Sequence, residues 1–337
     1  MEYLQIKGID KKCSRFIIGT MTIKDPDGPE SEFKKLDDAW EQGVNVIDAA
    51  HSYGAPRVGS TEIALGKWVK SRGLKREEYT ITTKCGHPRY FDFNPFLSRN
   101  AVHSYDMESE LNDSLCKWHT DYVDVLYLHR DDPETPVAEI IETFNKFKKE
   151  GKVRVFGAAN WQFDRIKEAN DYAEAHGLQG FGIVEEHYSL AEMVGDPFRA
   201  GSGSISGPKY AEMRKYLKEK GIVCASYSAL SGGFCTGRIT REQFEKDPES
   251  VSEGVRAGYC YPDNFTRVER AGELAKAKGL TIPQVCMAYT MCGGFEVMPI
   301  IGANNHDELM STLSTLDIKL TKAECDWIDL TSDERPF

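Results

Sequence analysis

The chain has 337 residues, of which 40% are hydrophobic and 28% charged, with 29 glycines and 14 prolines; this composition excludes a disordered or fibrous protein. The formal net charge of -11 opposes binding to nucleic-acid phosphates, and no apolar run approaches the ~18 to 20 residues that cross a bilayer. The N-terminus lacks the features of a secretory signal, and the nine scattered cysteines lack metal-binding spacing, which predicts a cytoplasmic protein with reduced thiols.

Eight short runs of aliphatic and β-branched residues recur along the chain and predict strands. In order, they are Phe16 to Gly19, Val44 to Asp48, Tyr79 to Lys84, Tyr122 to His129, Val153 to Ala158, Phe181 to Glu185, Ile222 to Tyr227 and Met298 to Gly302. Apolar residues at helical spacing lie between these runs, and capping boxes begin at Thr281 and Thr321. Thr135 and Pro136 predict a further helix start, with Thr135 as the N-cap.

The alternation of strands and helices predicts an α/β fold with a parallel sheet. Eight such units in this length favour a (β/α)8 TIM barrel, with residues 1–337 forming a single domain. Ahead of the first run, Leu4 to Ile6 and Asp10 to Ser14 predict an N-terminal β-hairpin. A doubly wound open sheet is the alternative, but the first strand is not followed by Gly-x-Gly-x-x-Gly. The Ser- and Gly-rich residues 200–208 predict a flexible loop rather than a phosphate-binding turn.

Ionisable residues end three neighbouring predicted strands. Asp48 ends the second, Lys84 the third and His129 the fourth, and Tyr53 lies in the loop after Asp48. Taken singly, each has a structural explanation as a turn cap, a snorkelling lysine or a core imidazole. Catalytic groups of a barrel lie at these strand ends, so we expect the four to meet at one mouth. Asp48 would keep Lys84 charged, and an ammonium ~4 Å from a phenol lowers the phenol pKa by roughly three from its reference near 10, so Tyr53 would donate a proton near neutral pH.

These residues carry a family resemblance. The segments Ile47 to Gly54 and Asp121 to His129, with Lys84, resemble those that hold the catalytic tetrad of the aldo-keto reductases, and similar segments continue at Gly157 to Asn160, Glu185 to Leu190, Ser226 to Arg238 and Pro299 to Ala303. The resemblance implies a (β/α)8 barrel that binds a nicotinamide dinucleotide without a Rossmann domain. It also implies hydride transfer between the nicotinamide and a carbonyl carbon, with Tyr53 as general acid or base, Lys84 and Asp48 tuning it, and His129 bonding to the carbonyl oxygen.

The resemblance further implies a set of cofactor contacts. Asn160 and Glu185 would hold the carboxamide, Tyr227 would stack on the ring, Ser228, Leu230 and Arg238 would wrap the pyrophosphate, and Gly302, Asn304 and Asn305 would lie near the 2′-phosphate of NADPH. NADPH/NADP+ is the family default, and NADH/NAD+ is the alternative because Asn304 and Asn305 replace the usual basic and hydroxyl residues. Ala159 stands where Ser is usual, and Glu185 stands where Gln is usual. A carboxylate at 185 would favour the oxidised, cationic ring, and therefore alcohol oxidation.

The residues in the loops after the predicted strands indicate the chemical class of the substrate. His51 and Arg57 flank Tyr53, Tyr90 and Phe91 follow Lys84, and Trp161 follows Asn160. Aromatic walls with several donors suit a hydroxylated or anionic carbonyl or alcohol compound, such as a sugar or keto-sugar; the alternative is that some of these residues only pack the loops.

Two other functions remain open. One is a cofactor-sensing regulatory subunit, like the aldo-keto-reductase-related β subunits of voltage-gated potassium channels. The other is a barrel isomerase or aldolase in which Lys84 forms a Schiff base, which the charge on Asp48 opposes.

Overall fold

The computed structural model describes residues 1–23, 30–54, 57–88, 102–199 and 201–337. Its strands are β1 Tyr3–Leu4, β2 Cys13–Ser14, β3 Ile17–Gly19, β4 Val46–Asp48, β5 Thr80–Cys85, β6 Val123–Leu128, β7 Val153–Ala159, β8 Ile183–His187, β9 Val223–Tyr227 and β10 Val297–Ile301. Its α-helices are α1 Glu30–Glu41, α2 Ser60–Ser71, α3 Ser104–Trp118, α4 Val137–Lys149, α5 Phe163–Ala175, α6 Ala211–Lys220, α7 Arg241–Lys246, α8 Glu253–Tyr259, α9 Pro262–Lys278, α10 Ile282–Thr290, α11 His306–Leu313 and α12 Lys322–Ile328.

The strands β3 to β10 form a closed barrel in the order β10-β3-β4-β5-β6-β7-β8-β9. All eight predicted strands are therefore present, and the (β/α)8 prediction is confirmed over an open doubly wound sheet. The chain divides into two compact units, Met1–Glu185 and Glu186–Phe337. The single domain over residues 1–337 stays a prediction.

In the first unit, neighbouring parallel strands are paired in a register that aligns their carboxyl ends. Asp48 pairs with Thr82, Lys84 with Tyr127 one strand further on, and Ala159 with Glu185. Polar residues at the ends of β4 to β8 are thereby brought to one edge of the sheet, which is where a parallel barrel carries its functional groups.

Helix α4 shows how a helix packs against the strands of the barrel. Its apolar residues share one buried face, and Phe144 stacks on Phe156 of β7 with ring centroids 4.8 Å apart. The predicted N-cap is displaced by one residue: Pro136 occupies the cap position, and the Thr135 hydroxyl donates instead to Asp132, at 3.1 Å. The predicted start was therefore one residue too early.

The N-terminal hairpin is confirmed, although its strands are short. Tyr3 pairs antiparallel with Ser14, and Leu4 with Cys13. The backbone N–H of Ser14 donates to the side-chain oxygen of Asn45, at 2.8 Å, and this bond ties the hairpin to the residue before β4.

In the second unit, the Ser-rich segment is more ordered than predicted. Its residues 203–206 run beside His187, whose N–H donates to the Gly203 carbonyl at 3.1 Å, while the Ile205 N–H donates to the His187 carbonyl at 2.9 Å. Ser204, Ile205 and Ser206 are buried. Small hydroxyl side chains allow this close approach and bond to the imidazole, so residues 203–206 pair with the end of β8 instead of forming a free loop.

Within the described ranges, no helix has the length and apolarity needed to cross a membrane. The same residues include no group of His, Cys, Asp and Glu side chains arranged to hold a metal ion.

Candidate active site

Lys84 is the centre of a buried charged cluster at the ends of β4 and β5. Its Nζ lies 2.7 and 2.8 Å from the two carboxylate oxygens of Asp48, 2.9 Å from the Ala49 carbonyl and 3.1 Å from the hydroxyl of Tyr53. Burial acts to lower the pKa of Lys84, but the charges of Asp48 and Glu185 raise it above its ordinary value. Lys84 is therefore an ammonium ion throughout the physiological range.

Glu185 is a second carboxylate on the same ammonium. Its Oε1 lies 3.1 Å from Lys84 Nζ, and its side chain is 5% exposed. Burial, reinforced by the charge of Asp48, raises the pKa of Glu185 to about 8 although Lys84 acts to lower it. The second oxygen, Oε2, is buried and has no hydrogen-bond partner among the residues that the structure describes. A buried acceptor of this kind suits the N–H of a bound amide.

The pKa of Tyr53 moves in the direction opposite to the one expected from the sequence. Lys84 lies within hydrogen-bond distance, as predicted, and lowers the pKa of the phenol. Burial raises it by more, and the charges of Asp48 and Glu185 raise it further, so the net pKa lies above the ordinary value. The expectation that one ammonium brings the phenol near neutrality is wrong for this state of the protein, and Tyr53 is held as a protonated donor.

His129 is a neutral imidazole beside this cluster. Burial lowers its pKa well below the usual range, and the nearby charges of Arg130, His87 and Lys84 act in the same direction. Its Nδ1 lies 3.3 Å from the Ser52 hydroxyl, and its ring centroid lies 5.9 Å from that of Tyr53. With Ser52 assigned as the donor to Nδ1, the ring proton is on Nε2, which then donates to a ligand oxygen.

Asn160 connects the end of β7 to its neighbours. Its backbone is in the left-handed region, with φ 62°, which asparagine tolerates better than most residues. Its N–H donates to the Glu185 carbonyl at 3.1 Å, and its side-chain amide donates to the His129 carbonyl at 3.3 Å. The first unit therefore brings together six of the predicted site residues, namely Asp48, Tyr53, Lys84, His129, Asn160 and Glu185.

The residues predicted to hold the rest of a cofactor lie in the second unit. The Tyr227 hydroxyl donates to the Gly203 carbonyl at 2.8 Å, and Leu230 packs on the core of this unit. Ser228 and several residues after it have positive φ, a conformation found in backbone anion-binding concavities. The Arg238 side chain is 79% exposed and borders a surface cleft of about 360 Å³ that Lys246 also lines.

The segment after β10 is capped by its own side chains. Asn305 accepts the N–H of Glu308 at 2.9 Å at the start of α11, and the side-chain amide of Asn304 donates to the Glu308 carboxylate at 2.9 Å. The bonds from Asn304, together with the charge of Arg238, lower the pKa of Glu308, so it remains ionised. Gly302 is exposed and open on its Cβ side.

Comparison with known proteins identifies the family. Residues 15–332 match the model of the aldo/keto reductase family. The chain belongs to the aldo/keto reductase family. This membership confirms the family resemblance and the prediction of an NAD(P)H-dependent oxidoreductase.

Individual relatives agree with this assignment. The chain is 28% identical over 302 residues to norsolorinic acid reductase B of Dothistroma septosporum, covering 89% of this chain and 71% of that protein. It is 25% identical over 305 residues to a probable aryl-alcohol dehydrogenase of Saccharomyces cerevisiae, covering 89% and 87%. The solved glycerol dehydrogenase of Gluconobacter oxydans has the same fold, with a TM-score of 0.75, 19% identity, and coverage of 97% of this chain and 94% of that one.

Three of the predicted substrate-pocket residues of this aldo/keto reductase lie within the described ranges. His51 bonds to Asp113 of α3, at 2.9 Å from its Nε2, and Arg57 is exposed. Trp161 is 2% exposed and packs edge-on against Phe181, with ring centroids 5.2 Å apart. Tyr90 and Phe91 lie outside the described residues. Contact of these five residues with a substrate stays a prediction.

Several supporting contacts were not predicted from the sequence. Thr82 donates to Asp48 Oδ1 at 3.0 Å, Ser52 meets His129, and Arg130 donates to the His129 carbonyl at 2.9 Å. Thr82 precedes Lys84 by two residues on β5, so strand alternation places both side chains on one face and was the available signal. The ion pair between Glu185 and Lys84 had no comparable signal, because it joins β8 to the non-neighbouring β5.

The ionic state of Lys84 argues against Schiff-base chemistry. A nucleophilic amine must lose its proton, whereas two buried carboxylates raise the pKa of this ammonium. The contacts of Lys84 with Asp48 and Glu185 keep the lysine charged in this aldo/keto reductase.

Proposed function

We propose that this chain catalyses hydride transfer between a nicotinamide dinucleotide and a small carbonyl or alcohol compound, with Tyr53 as the general acid and base. The observation that carries the proposal is the 3.1 Å hydrogen bond between the Tyr53 hydroxyl and a lysine that is itself held by Asp48. A protonated phenol beside a fixed ammonium is a proton donor in a preorganised field.

The residues present fit a nicotinamide cofactor. The unsatisfied Oε2 of Glu185 supplies an acceptor for a carboxamide N–H, and Asn160, whose N–H donates to the Glu185 carbonyl, would hold the same group. The family resemblance implies that Tyr227 would stack on the nicotinamide ring. Ser228, Leu230 and Arg238 would hold the pyrophosphate, as the family resemblance implies. The bound cofactor supplies or accepts the hydride. NADP(H) is the family default, and NAD(H) is the alternative because Gly302, Asn304 and Asn305 carry no positive charge.

The side chains of this protein supply the proton and the electrostatic field. In the reducing direction Tyr53 donates its phenolic proton to the oxygen that gains charge, and the Nε2 proton of His129 donates a hydrogen bond to the same oxygen. Because the pKa of Tyr53 is above its ordinary value, the phenol remains protonated until an alkoxide, which is a stronger base, develops beside it. Lys84 remains positive and offsets the negative charge of the cluster.

At a pH above about 8, where the Glu185 carboxyl is ionised, this residue favours alcohol oxidation. An ionised carboxylate stabilises a cationic, oxidised nicotinamide more than a neutral, reduced one. We expect the wild type to bind the oxidised cofactor relatively better than Glu185→Gln does, as measured by titrating both cofactor forms. Equal affinity ratios in the two proteins would remove this argument.

We propose a hydroxylated carbonyl or alcohol substrate, such as a sugar or keto-sugar, in a cytoplasmic pathway of sugar metabolism. His51 and Arg57 flank Tyr53 in the sequence and would supply polar groups to such a substrate, and a protein of the same fold is named as a glycerol dehydrogenase. Aryl alcohols and aldehydes are the second class to test, because a relative is named as a probable aryl-alcohol dehydrogenase. Nine free cysteines are in keeping with a reducing compartment.

The decisive experiment compares the wild type with Tyr53→Phe. Fluorescence titration with NADPH and NADH first measures cofactor affinity, and sugars, keto-sugars and aryl alcohols are then screened in both directions. We expect Tyr53→Phe to keep near-normal cofactor affinity and to lose at least about 100-fold in turnover. Retained turnover would show that another acid acts. Cofactor binding by the wild type without turnover of any compound would favour the regulatory-subunit alternative.

A further inference from the structure

We propose that Glu185 is the internal proton acceptor of this site. During alcohol oxidation it would take up, through Lys84 and Tyr53, the proton that leaves the alcohol, and during carbonyl reduction it would return that proton. The inference rests on the hydride transfer proposed above and assigns Glu185 a role beyond contact with the carboxamide.

The three side chains form an unbroken line of polar contacts, namely a hydrogen bond between Tyr53 and Lys84 and an ion pair between Lys84 and Glu185. The Tyr53 hydroxyl lies 3.1 Å from Lys84 Nζ, and the same nitrogen lies 3.1 Å from Glu185 Oε1. The side chains of Lys84 and Glu185 are 0% and 5% exposed. Both distances allow direct proton transfer, so this path needs no water molecule between the phenol and the carboxylate.

Glu185 is a better proton acceptor than Asp48, the other carboxylate on Lys84. Both oxygens of Asp48 bond to Lys84, and Oδ1 also accepts from Thr82 at 3.0 Å, so the charged form of Asp48 has three polar contacts. Glu185 has Lys84 on one oxygen, and its other oxygen has no partner among the described residues. Hydrogen bonds stabilise the ionised form, and the carboxylate with fewer of them takes up a proton more readily.

Proton transfer to Glu185 keeps the net charge of the buried cluster constant when Tyr53 loses its proton. Before reaction, at a pH above the raised pKa of Glu185, the cluster holds the Lys84 ammonium, the Asp48 and Glu185 carboxylates and the neutral Tyr53 phenol, with a net charge of one negative unit. Ionising Tyr53 alone would add a second buried negative charge, which burial strongly opposes. If Glu185 is protonated at the same time, the net charge of the cluster stays constant. The raised pKa values of both groups agree with this coupling.

The step balances within the residues present. A Lys84 N–H bond breaks and its proton forms an O–H bond with Glu185 Oε1, while the phenolic proton of Tyr53 moves to Lys84 and restores the ammonium. The Tyr53 phenolate then takes the hydroxyl proton of the alcohol, and a bound oxidised nicotinamide, as in the proposed function, would accept the hydride from the alcohol carbon. The net change is one carbonyl compound, one reduced cofactor and one proton held on Glu185.

The charged and titratable groups that act on Glu185 are Asp48 of β4, Lys84 of β5 and Tyr53 of the loop after β4.

The first test measures the protonation of Glu185 directly, without cofactor, by infrared difference spectroscopy over a pH series. We expect the wild type to show a buried carboxyl band that is lost as the pH rises through about 8. The band should be missing from Glu185→Gln and kept in Glu186→Gln, a matched change at the next buried residue, whose side chain alternates to the other face of β8. A wild type without such a band overturns the proposal even if a variant fails to fold.

The second test separates proton transfer from cofactor binding. With saturating substrates, kcat for alcohol oxidation should rise through pH about 8 in the wild type and in Glu186→Gln. Glu185→Gln should lose this inflection and be at least about 10-fold slower at pH 9. A purely structural or carboxamide-binding role would change cofactor Kd or KM and leave the pH profile of kcat in place, and that outcome overturns the relay. Absence of hydride transfer in the wild type would instead contradict the proposed function.

Discussion

Replacing Lys84 by Met removes the shared ammonium while keeping most of the side-chain volume. The carboxylates of Asp48 and Glu185, 2.7 and 3.1 Å from Nζ and 4% and 5% exposed, would then have no cation between them. Removing one partner of a buried ion pair costs about 3–5 kcal/mol. We therefore expect Lys84→Met to lower the free energy of unfolding by about 4 kcal/mol at pH 8 and to abolish turnover.

The distances from Lys84 Nζ to the two carboxylates set an upper limit on the stability lost in Lys84→Met, and protonation of the carboxyl groups makes this loss depend on pH. At an effective dielectric constant of about 20, the two attractions are worth about 6 and 5 kcal/mol, and proton uptake by the carboxylates recovers part of their loss. Without Lys84, the Asp48 carboxylate is buried beside Glu185 with no cation, so the folded variant takes up a proton that the folded wild type does not, and its loss of stability relative to the wild type grows as the pH rises. One linked proton changes stability by about 1.4 kcal/mol per pH unit. The loss should therefore shrink to less than about 2 kcal/mol at pH 5.

Urea unfolding followed by tryptophan fluorescence at pH 5 and pH 8 measures both values. Lys322→Met is the control, because Lys322 is 87% exposed in its pair with Asp326, and its replacement should leave the unfolding midpoint nearly unchanged at both pH values. The double variant Lys84→Met/Glu185→Gln, with one carboxylate fewer, should recover part of the loss at pH 8. A loss below about 1 kcal/mol at pH 8, or an equal loss at both pH values, would refute the reasoning.

Three further changes test other parts of the structure. Ser52→Ala removes the contact to Nδ1 of His129, and kcat should fall about 5-fold, as for one lost hydrogen bond, with unchanged cofactor Kd; an unchanged kcat would mean that Ser52 does not orient the ring. Thr321→Ala breaks the capping box of α12 and should cost about 1 kcal/mol in urea unfolding, whereas no loss would contradict the cap. Gly66→Ala, despite its better helix propensity, should lower the melting temperature because the new Cβ collides with the Lys117 carbonyl of α3; a higher melting temperature would show that the two helices can separate.

The strands and the position of the acid–base residues could be predicted because the signals are local. β3 to β10 are runs of aliphatic residues, and each lies within about two residues of its predicted bounds. Asp48, Lys84 and His129 stand at the ends of such runs, and parallel strands end at one edge of the sheet. The Thr321 capping box is equally local and is present in the structure.

The sign of the pKa shift at Tyr53 could not be predicted in the same way. The sequence places one ammonium near the phenol and predicts a lowered pKa, whereas the folded protein adds burial and two carboxylates, which together reverse the shift. The family resemblance assigns Glu185 to the carboxamide, whereas its contact with Lys84 depends on how the barrel curves between β5 and β8. Similarly, residues 203–206 have a loop composition, and their pairing with His187 depends on a partner distant in sequence.

The amino-acid sequence by itself determined the order of strands and helices, the barrel fold and which ionisable residues stand at strand ends, because these follow from periodicity and spacing along the chain. Only the tertiary structure decided that Lys84 is shared by two carboxylates, that Tyr53 is held protonated and that His129 is neutral. A pKa depends on burial and on every charge within a few ångströms, and both are set by residues that the fold brings together from separate strands.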